Sequence, residues 1–417
     1  MASSHDNGSV PQSQSKRIPK GGSTFRIRGV PLSWDMNQLQ RHIEVHEPAS
    51  QPVVKSLATE VDGHFKTATV NFLNPPLSVQ TTKPWYIPLP ETDESELAVS
   101  NLPLRLDGDF LGITTLFSPP VEDHDVDVIA VSGLGGHAYG SFKDKNGNYM
   151  WLQDALSSDL INTHSNRPMA RVMIYGHKSN VYKSRSVQDI DDLSTALHSN
   201  LLALIQAPKT RPIILMGHSL GGLIVKKVSR TLITLSKSPS QEDQKLFRAI
   251  YGIVFFGVPH NGMDIESLIP MVDDGPNFPL VKSIGTTSPV LDQLQEEFHP
   301  ALGRQGDREI VCFYETAESP TAQQVTVAYS AWFMYVGTEY EQDQNGQWRM
   351  IGPPKVLVTK SSAVHCRSWE SDDDHIWPIA RSHSEMVKFG PTDSFYGGVR
   401  DRLHGLAQRT AKIQQRI

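Results

Sequence analysis

From about Leu111 onward, short apolar runs alternate with amphipathic stretches, and this alternation constrains the fold more than any other feature of the chain. Six runs are predicted to be strands: DVIAVSGLGG, RVMIYGH, PIILMGHS, AIYGIVFFGVPH, REIVCFYE and KVLVTKSS. Strands that are apolar along their whole length and alternate with helices form a parallel sheet with helices on both faces. We therefore predict an α/β domain over residues 108–408, with its functional site at the carboxyl ends of the strands.

Two helices of this domain are predicted from the spacing of their apolar residues. The first carries Ile190, Leu193, Leu197, Leu201 and Leu204 on one face. Asp189, Asp191 and Asp192 lie at its start, where negative charge is favoured by the helix dipole. The second helix follows the third strand and carries Leu220, Leu223, Ile224, Val228 and Leu232 on one face.

The chain before this domain divides into three parts. Residues 1–23 have no apolar segment and predict a disordered tail, not a secretory signal. Residues 24–74 show the order strand, helix, strand, strand and resemble the first half of an RNA-recognition motif, a small ferredoxin-like α+β module. Thr67 and Thr69 stand where that module needs aromatic rings, so we expect a packing or protein-contact role. Residues 75–107 predict a linker with one or two irregular strands.

Composition excludes several classes of protein. The chain has 417 residues and a formal net charge of −6, so no nucleic-acid partner is expected. Cys312 and Cys366 have no zinc-site spacing and cannot build a disulfide framework. No run of about 18 apolar residues occurs, so no membrane-spanning helix is predicted. We expect a cytoplasmic protein, or one that is peripheral on an internal membrane.

The segment PIILMGHSLGGLIVKK, residues 212–227, contains a G-x-S-x-G motif centred on Ser219. The motif lies between a predicted strand and a predicted helix, where such a serine is exposed on a sharp turn. We expect small residues to be required at Gly217 and Gly221, because larger side chains would collide with neighbouring elements. Ser219 is therefore the candidate nucleophile.

A serine nucleophile needs a base that takes its proton and an acid that orients the base. In hydrolases with this strand order, the acid follows a later strand and the histidine comes last. Glu315 lies just past REIVCFY, and His383 lies after the last predicted strand. We predict Ser219, His383 and Glu315 as the catalytic residues. His260 is an alternative base, and Glu318 and Asp292 are alternative acids.

Acyl transfer also needs N–H donors for the developing oxyanion. We assign these donors to the backbone of Leu220, after the serine, and of Leu134, in the glycine turn after the first strand. The residues predicted to line the pocket are Gly133, Gly135, His137, His218 and His260.

Seven segments carry a family resemblance: SGLGGHAYGSF, MWLQDAL, RVMIYGHKSN, GHSLGGLIVKK, GIVFFGVPHNG, CFYET and HSEMVKF. Over residues 108–405 the chain resembles the serine-active-site-containing-1-like (DUF676-type) serine esterases of fungi. The resemblance implies an α/β-hydrolase fold, a serine hydrolase that acts on lipid or other esters, and Ser219, His383 and Glu315 as its triad. No metal and no organic cofactor is implied.

Two features depart from this family. Its first glycine loop commonly opens with His-Gly, whereas this chain has Ser132-Gly133, which leaves the hydrogen bonding of that loop open. The segment QQVTVAYSAWFMYVGTEYEQDQNGQW, residues 323–348, is interpreted as an insertion. It predicts an apolar lid, a flap that contacts a membrane or an extra hairpin, since its apolar run is too short to span a bilayer.

Two other functions stay open. Gly133, Gly135 and Ala138 match a relaxed dinucleotide-binding fingerprint after an apolar strand, as in an oxidoreductase, although neither an immediate helix nor an acidic residue after the second strand follows. A non-catalytic signalling or interaction module on the same fold is the other alternative. The prediction that we adopt is a serine esterase or lipase-like hydrolase whose substrate is a small-molecule or lipid ester.

Overall fold

The computed structural model describes residues 24–76, 84–90, 102–206, 209–236, 240–272, 275–325 and 347–413. The predicted tail, residues 1–23, lies outside these ranges, as do parts of the predicted linker and residues 326–346 of the predicted insertion. The described chain forms a five-stranded sheet, a seven-stranded sheet and a two-stranded sheet.

The N-terminal unit is an antiparallel sheet with one helix. Its elements are β1 (Thr24–Val30), α1 (Met36–His46), β2 (Pro52–Thr59), β3 (Lys66–Phe72), β4 (Trp85–Ile87) and β5 (Leu104–Asp107). The strands are arranged in the order β2-β3-β1-β5-β4. Leu39 and Ile43 of α1 belong to the same buried cluster as Ile27 and Val70, so the helix covers one face of the sheet. The predicted α+β module is confirmed.

The predicted linker, residues 75–107, supplies two strands to this sheet. β5 pairs with β1 through Arg26 and Asp107, and β4 pairs with β5 through Trp85 and Leu106. Leu104 and Leu106 are buried in the core of the unit. The N-terminal sheet therefore continues beyond residue 74, and the domain boundaries given above stay a prediction.

The other face of the N-terminal sheet packs against the large domain. Thr69 is fully buried there, and its hydroxyl donates to Gln153 Oε1 at 2.8 Å. Gln153 lies in a π-helical segment, Leu152–Leu156, of the large domain. The position where an RNA-recognition motif would carry a base-stacking ring is thus in contact with protein, which explains why a threonine suffices.

Arg26 joins the two units. Its guanidinium donates to both carboxylate oxygens of Asp107, at 2.9 Å from Nη2 to each. Its Nη1 donates to Thr114 Oγ1 at 2.8 Å and to the carbonyl oxygen of Leu111 at 3.0 Å. Both members of the ion pair are buried. Such a pair is costly to break, because each partner would be left charged and out of water.

The large domain is built on a seven-stranded sheet. Its strands are β6 (Gly112–Phe117), β7 (Val126–Val131), β8 (Ala170–Gly176), β9 (Ile213–His218), β10 (Ile250–Phe256), β11 (Glu309–Glu315) and β14 (Ile376–Ile379). They are arranged in the order β14-β11-β10-β9-β7-β8-β6, and β6 alone pairs antiparallel with its neighbour. The predicted α/β domain with a mostly parallel sheet is confirmed.

Helices cover both faces of this sheet. They are α2 (Ser157–Asp159), α3 (Ile190–Ile205), α4 (Leu220–Ser236), α5 (Gln241–Ala249), α6 (Ile269–Val272), α7 (Phe278–Ser283), α8 (Pro289–Ala301), α9 (Lys360–Ala363) and α10 (Ser394–Ala411). Leu197 of α3 and Leu223 of α4 pack on one face with Ile129, while Leu403 of α10 packs on the other face with Val128. Both predicted helices are confirmed, and Asp189 caps α3 by accepting from the N–H of Asp192.

One predicted strand is wrong. The run KVLVTKSS forms no strand of the large sheet, and β14 occupies that place. The N–H groups of Leu357 and Val358 donate to the carboxylate of Glu315, so they are not available for a strand ladder. The run therefore serves as a connection that holds Glu315.

A hairpin lies between β11 and β14. Its strands β12 (Ser319–Val325) and β13 (Gln347–Lys355) pair antiparallel and enclose the predicted insertion. Residues 326–346, where a lid or a membrane flap is predicted, lie outside the described residues. Among the helices of the described ranges, none is long and apolar enough to cross a membrane.

We predict that Arg26→Met destabilises the protein by about 3–5 kcal/mol, because Asp107 would keep a buried charge without its partner. The free energy of unfolding in urea measures this change. Arg400→Met is the matched control, since Arg400 pairs with Asp401 at the surface. Its loss should stay below about 1 kcal/mol. Equal losses in the two variants would contradict a buried ion pair between Arg26 and Asp107.

Candidate active site

Ser219 lies at the sharp turn between β9 and α4. Its φ is +53°, a left-handed conformation that a residue with a side chain rarely adopts. Such strain costs on the order of 1–3 kcal/mol and persists only where the surroundings impose it. Here the N–H of Ser219 donates to the carbonyl oxygen of Phe256 at 3.0 Å, which ties the turn to the neighbouring strand β10.

The glycines around Ser219 are required by close backbone contacts. A Cβ on Gly217 would lie 2.4 Å from the Cα of Gly222. A Cβ on Gly221 would lie 2.5 Å from the carbonyl oxygens of Ser132 and Val131. Real Cβ atoms do not approach other atoms so closely, so only glycine fits at either position. The steric reason given for the G-x-S-x-G spacing is confirmed.

The structure brings Ser219, His383 and Glu315 together. Ser219 Oγ is 2.9 Å from His383 Nε2, and His383 Nδ1 is 2.5 Å from Glu315 Oε2. The three residues are buried, with exposures of 4%, 7% and 3%. Ser219 follows β9, Glu315 ends β11, and His383 lies in the loop after β14. Three carboxyl-terminal strand ends therefore supply one hydrogen-bonded chain.

Glu315 is fixed by backbone donors. Its Oε1 accepts from the N–H groups of Leu357 and Val358, each at 3.1 Å, while Oε2 faces His383. The carboxylate is thus satisfied on both oxygens and cannot rotate freely. The alternative acids Glu318 and Asp292 are exposed, and no hydrogen bond joins either of them to His383.

The backbone of His383 has two side-chain partners. Its N–H donates to Ser319 Oγ at 2.9 Å, and its carbonyl oxygen accepts from His218 Nε2 at 2.8 Å. Sequence reasoning missed Ser319, for which the available signal was its place shortly after Glu315 on β12. It placed His218 in the pocket on account of its position next to Ser219, without identifying this contact.

The glycine loop after β7 lies against Ser219. A Cβ on Gly133 would approach the Cβ of Ser219 to 2.8 Å, so Gly133 and the adjacent Leu134 lie beside the candidate nucleophile. Gly135, with a φ of +69°, donates its N–H to the carbonyl oxygen of Ser179 at 2.6 Å. Leu220, the other predicted oxyanion donor, is the first residue of α4 and is buried.

Ser179 supplies the hydrogen bonding of the glycine loop, which the departure at Ser132 left open. The hydroxyl of Ser132 is buried and has no hydrogen-bond partner among the described residues. Ser179, in the connection after β8, instead donates its hydroxyl to the carbonyl oxygen of Gly136 at 2.7 Å and accepts from Gly135. The glycine loop is therefore held from the neighbouring strand connection and not by its own first residue.

Two predicted pocket residues have partners outside the triad. His137 is exposed, bonds to the carbonyl oxygen of Gly108 at 2.6 Å and accepts from the N–H of Gly140. His260, the alternative base, is buried and accepts from Lys226 Nζ at 3.4 Å. The imidazole that contacts Ser219 Oγ is that of His383. The assignment of Gly133, Gly135, His137, His218 and His260 to a substrate pocket stays a prediction.

The dinucleotide fingerprint has different surroundings from those that such a site needs. A single 3₁₀ turn, Gly140–Phe142, follows the glycine loop where a phosphate-binding helix would begin. Gly133 is packed against Ser219, so its backbone faces the candidate nucleophile. This geometry favours the hydrolase prediction over the nucleotide-binding alternative.

A buried basic cluster surrounds Lys226 of α4. Lys226 is fully buried, donates to Gln295 Oε1 at 2.9 Å, and burial lowers its pKa to about 7. Gln295 in turn donates to His365 Nδ1 at 2.7 Å. Burial, together with the charge of Lys226, lowers the pKa of His365 to about 2 and that of His260 well below its usual value. The two histidines are thus neutral at neutral pH, and Lys226 loses its proton near pH 7.

Comparisons with known proteins agree with the predicted resemblance. Residues 128–272 match the family described as "Putative serine esterase (DUF676)". Protein SERAC1 of Mus musculus is 28% identical over 191 residues, and Protein SERAC1 of Homo sapiens is 25% identical over 191 residues. Each match covers 41% of this chain and 27% of the relative. The resemblance to DUF676-type serine esterases is therefore confirmed.

The matches have limited extent. The chain spans about a quarter of the length of these curated relatives, as the 27% coverage of each shows. Among solved structures, mature lipase BlEst2 from Bacillus licheniformis is similar with a TM-score of 0.38 and 15% identity, covering 69% of this chain and 97% of that chain.

We predict that Lys226 makes stability depend on pH above neutrality. The unfolded chain keeps the Lys226 proton up to its ordinary pKa of 10.5, whereas the folded chain loses it near pH 7. The unfolded state thus binds more protons in this window, so stability rises with pH, with a slope approaching about 1.4 kcal/mol per pH unit. Urea unfolding of wild type and Lys226→Met between about pH 7 and 9 measures this slope.

The difference between the two unfolding curves carries the test, since contributions from other groups are common to both proteins. Lys209→Met is the control, because Lys209 is exposed, and it should keep the wild-type slope. A Lys226→Met variant with the same pH dependence as wild type would show that Lys226 does not titrate in this window.

Proposed function

We propose that this chain is a serine hydrolase that cleaves carboxylic esters through Ser219, His383 and Glu315. The observation that carries the proposal is the buried hydrogen-bonded chain from Ser219 Oγ to His383 Nε2, at 2.9 Å, and from His383 Nδ1 to Glu315 Oε2, at 2.5 Å. Nucleophile, base and orienting acid in this relation are what acyl transfer by a serine requires. The match to a serine esterase family over residues 128–272 supports the same conclusion.

The first half of the proposed reaction forms an acyl-enzyme. Ser219 Oγ attacks the ester carbonyl carbon while its proton moves to His383 Nε2, and the carbonyl electrons move onto oxygen. Glu315 accepts from Nδ1–H, which keeps Nε2 free to take the proton and stabilises the imidazolium that results. The carbon–oxygen bond to the alcohol then breaks, and His383 returns the proton to the leaving alkoxide.

The second half releases the acid. A water gives one proton to His383 Nε2 as its oxygen attacks the acyl carbon, and Ser219 Oγ leaves and recovers that proton. In both halves, negative charge develops on the former carbonyl oxygen. We assign its stabilisation to the N–H groups of Leu134 and Leu220, which lie in the glycine loop against Ser219 and at the first residue of α4.

We further propose that the acyl part of the substrate is apolar, as in a lipid ester. Leu134 and Val181 are both partly exposed beside the oxyanion loop, where Val181 Cγ2 lies 3.4 Å from the position of a Cβ on Gly135. Apolar side chains at this edge favour an aliphatic chain next to the reacting carbonyl over a charged group.

We predict that Ser219→Ala lowers kcat/KM for p-nitrophenyl ester hydrolysis by at least about 1,000-fold and abolishes labelling by a fluorophosphonate probe, because the attacking oxygen is removed. Ser229→Ala is the matched control. Ser229 is also buried and lies on α4, the helix that begins directly after Ser219. Its hydroxyl donates to the carbonyl oxygen of Val225 at 3.0 Å and not to the triad.

The control variant should be labelled and should turn over the ester as wild type does. Equal labelling of wild type and Ser219→Ala would remove Ser219 as the nucleophile. Wild-type protein that neither reacts with the probe nor hydrolyses any ester of a series with graded chain length would contradict the proposed function itself.

A further inference from the structure

We propose that His218 is a positioning residue that holds the catalytic loop of His383 at the nucleophile. This inference rests on the proposed function and assigns a role to a side chain that does not itself exchange a proton with substrate. Three observations support it: the contact of His218 with the His383 backbone, the neutral state of its imidazole, and the distance that the His383 loop must span.

His218 contacts the backbone of His383 directly, and only one direction of this hydrogen bond is possible. His218 Nε2 lies 2.8 Å from the carbonyl oxygen of His383. A carbonyl oxygen can only accept, so Nε2 must carry the proton and donate it. His218 is 8% exposed, and its ring lies 5.0 Å from the ring of His383 at an interplanar angle of 37°. The donor is therefore buried and lies beside the imidazole that takes the serine proton.

The imidazole of His218 stays neutral at neutral pH. Burial, followed by the nearby His383 and Lys388, lowers its pKa to about 3, although the hydrogen bond to the His383 carbonyl opposes this shift. A second positive charge at this distance would disfavour the imidazolium that forms on His383 during catalysis. A neutral donor supplies the hydrogen bond without that repulsion.

The loop that carries His383 must span several strands of the sheet to reach Ser219. It leaves β14, whereas Ser219 follows β9, and β11 and β10 lie between these strands. At about 4.8 Å between neighbouring strands, three spacings amount to roughly 14 Å. Ser319 holds the loop at the side of β11, through the N–H of His383. His218 holds it at the side of β9, through the carbonyl of the same residue.

Because His218 directly precedes Ser219, this hydrogen bond links the backbone of the nucleophile to the backbone of the base. Without it the His383 carbonyl would be left unsatisfied at a buried position, and the loop would relax to find another donor. A displacement of about 1 Å between reacting groups can lower a rate by about 100-fold. His218 should thus act on kcat and leave substrate binding nearly unchanged.

Two amide substitutions separate this role from simple packing. In His218→Gln the side-chain amide can extend to the place of Nε2 and donate to the His383 carbonyl. In His218→Asn the side chain is one methylene shorter and cannot. We expect kcat of His218→Asn to fall by about 10- to 100-fold with KM within about threefold of wild type, and His218→Gln to stay within about threefold of wild type in both.

The measurements are steady-state hydrolysis of a p-nitrophenyl ester and the rate of labelling by a fluorophosphonate probe, with thermal unfolding as a check of folding. His404→Asn is the matched control, because His404 Nε2 also bonds to a backbone carbonyl, that of Ile161 at 3.1 Å, and His404 lies on α10, where it makes none of the contacts described for the triad. It should keep wild-type kcat. If His218→Asn does not fold, His218→Leu replaces it as the variant without a donor.

Wild-type protein that hydrolyses the ester, together with equal kcat losses in His218→Gln and in the donor-free variant, would overturn the proposal and leave the proposed function intact. A change confined to KM would overturn it as well. Failure of the wild-type protein to react with ester or probe removes the proposed function, and the role of His218 falls with it. Recovery of kcat and labelling rate in His218→Gln alone supports it.

Discussion

The left-handed backbone of Ser219 is the constraint on which the rest of the site depends. At a φ of +53° the chain turns sharply enough for the hydroxyl to leave β9 and face His383. Contacts of 2.4 and 2.5 Å that a Cβ would make at Gly217 and Gly221 show how tightly β7, β9 and α4 converge at this turn. The packing of the large sheet maintains this strain, so the geometry of the site depends on the core of the domain.

From this turn the site extends across the sheet in one direction and back to the N-terminal unit in the other. The loop after β14 reaches Ser219 over two strands, and its His383 is held through both backbone groups, by Ser319 and by His218. On the other side, the glycine loop is fastened to Ser179 after β8. β6, next to β8, receives the N-terminal sheet through Arg26 and Thr114. The N-terminal unit thus packs against the large domain at β6, the edge strand of its sheet.

Much of this arrangement follows from local sequence pattern. The apolar strands, α3 with its acidic start, and the turn at Ser219 are specified by periodicity, capping and glycine spacing, which are short-range signals. The run KVLVTKSS has the apolar pattern of a strand, but this pattern carries no information about the carboxylate of Glu315 that accepts from its N–H groups.

Contacts between residues distant in the chain were not predictable in the same way. Ser319, Ser179 and the donor role of His218 depend on how loops from four strands meet, and a single sequence has no periodic signal for that. The one or two irregular strands predicted in the linker correspond to β4 and β5. Their place in the N-terminal sheet was not predictable, because both strands are short and are held by pairing: β5 with β1, and β4 with β5.

The most direct measurement is a crystal structure of the protein after reaction with a fluorophosphonate. A phosphorus atom bonded to Ser219 Oγ, with its phosphoryl oxygen about 3 Å from the N–H groups of Leu134 and Leu220, is the predicted result. An adduct on another residue, or a phosphoryl oxygen turned away from both N–H groups, would contradict it.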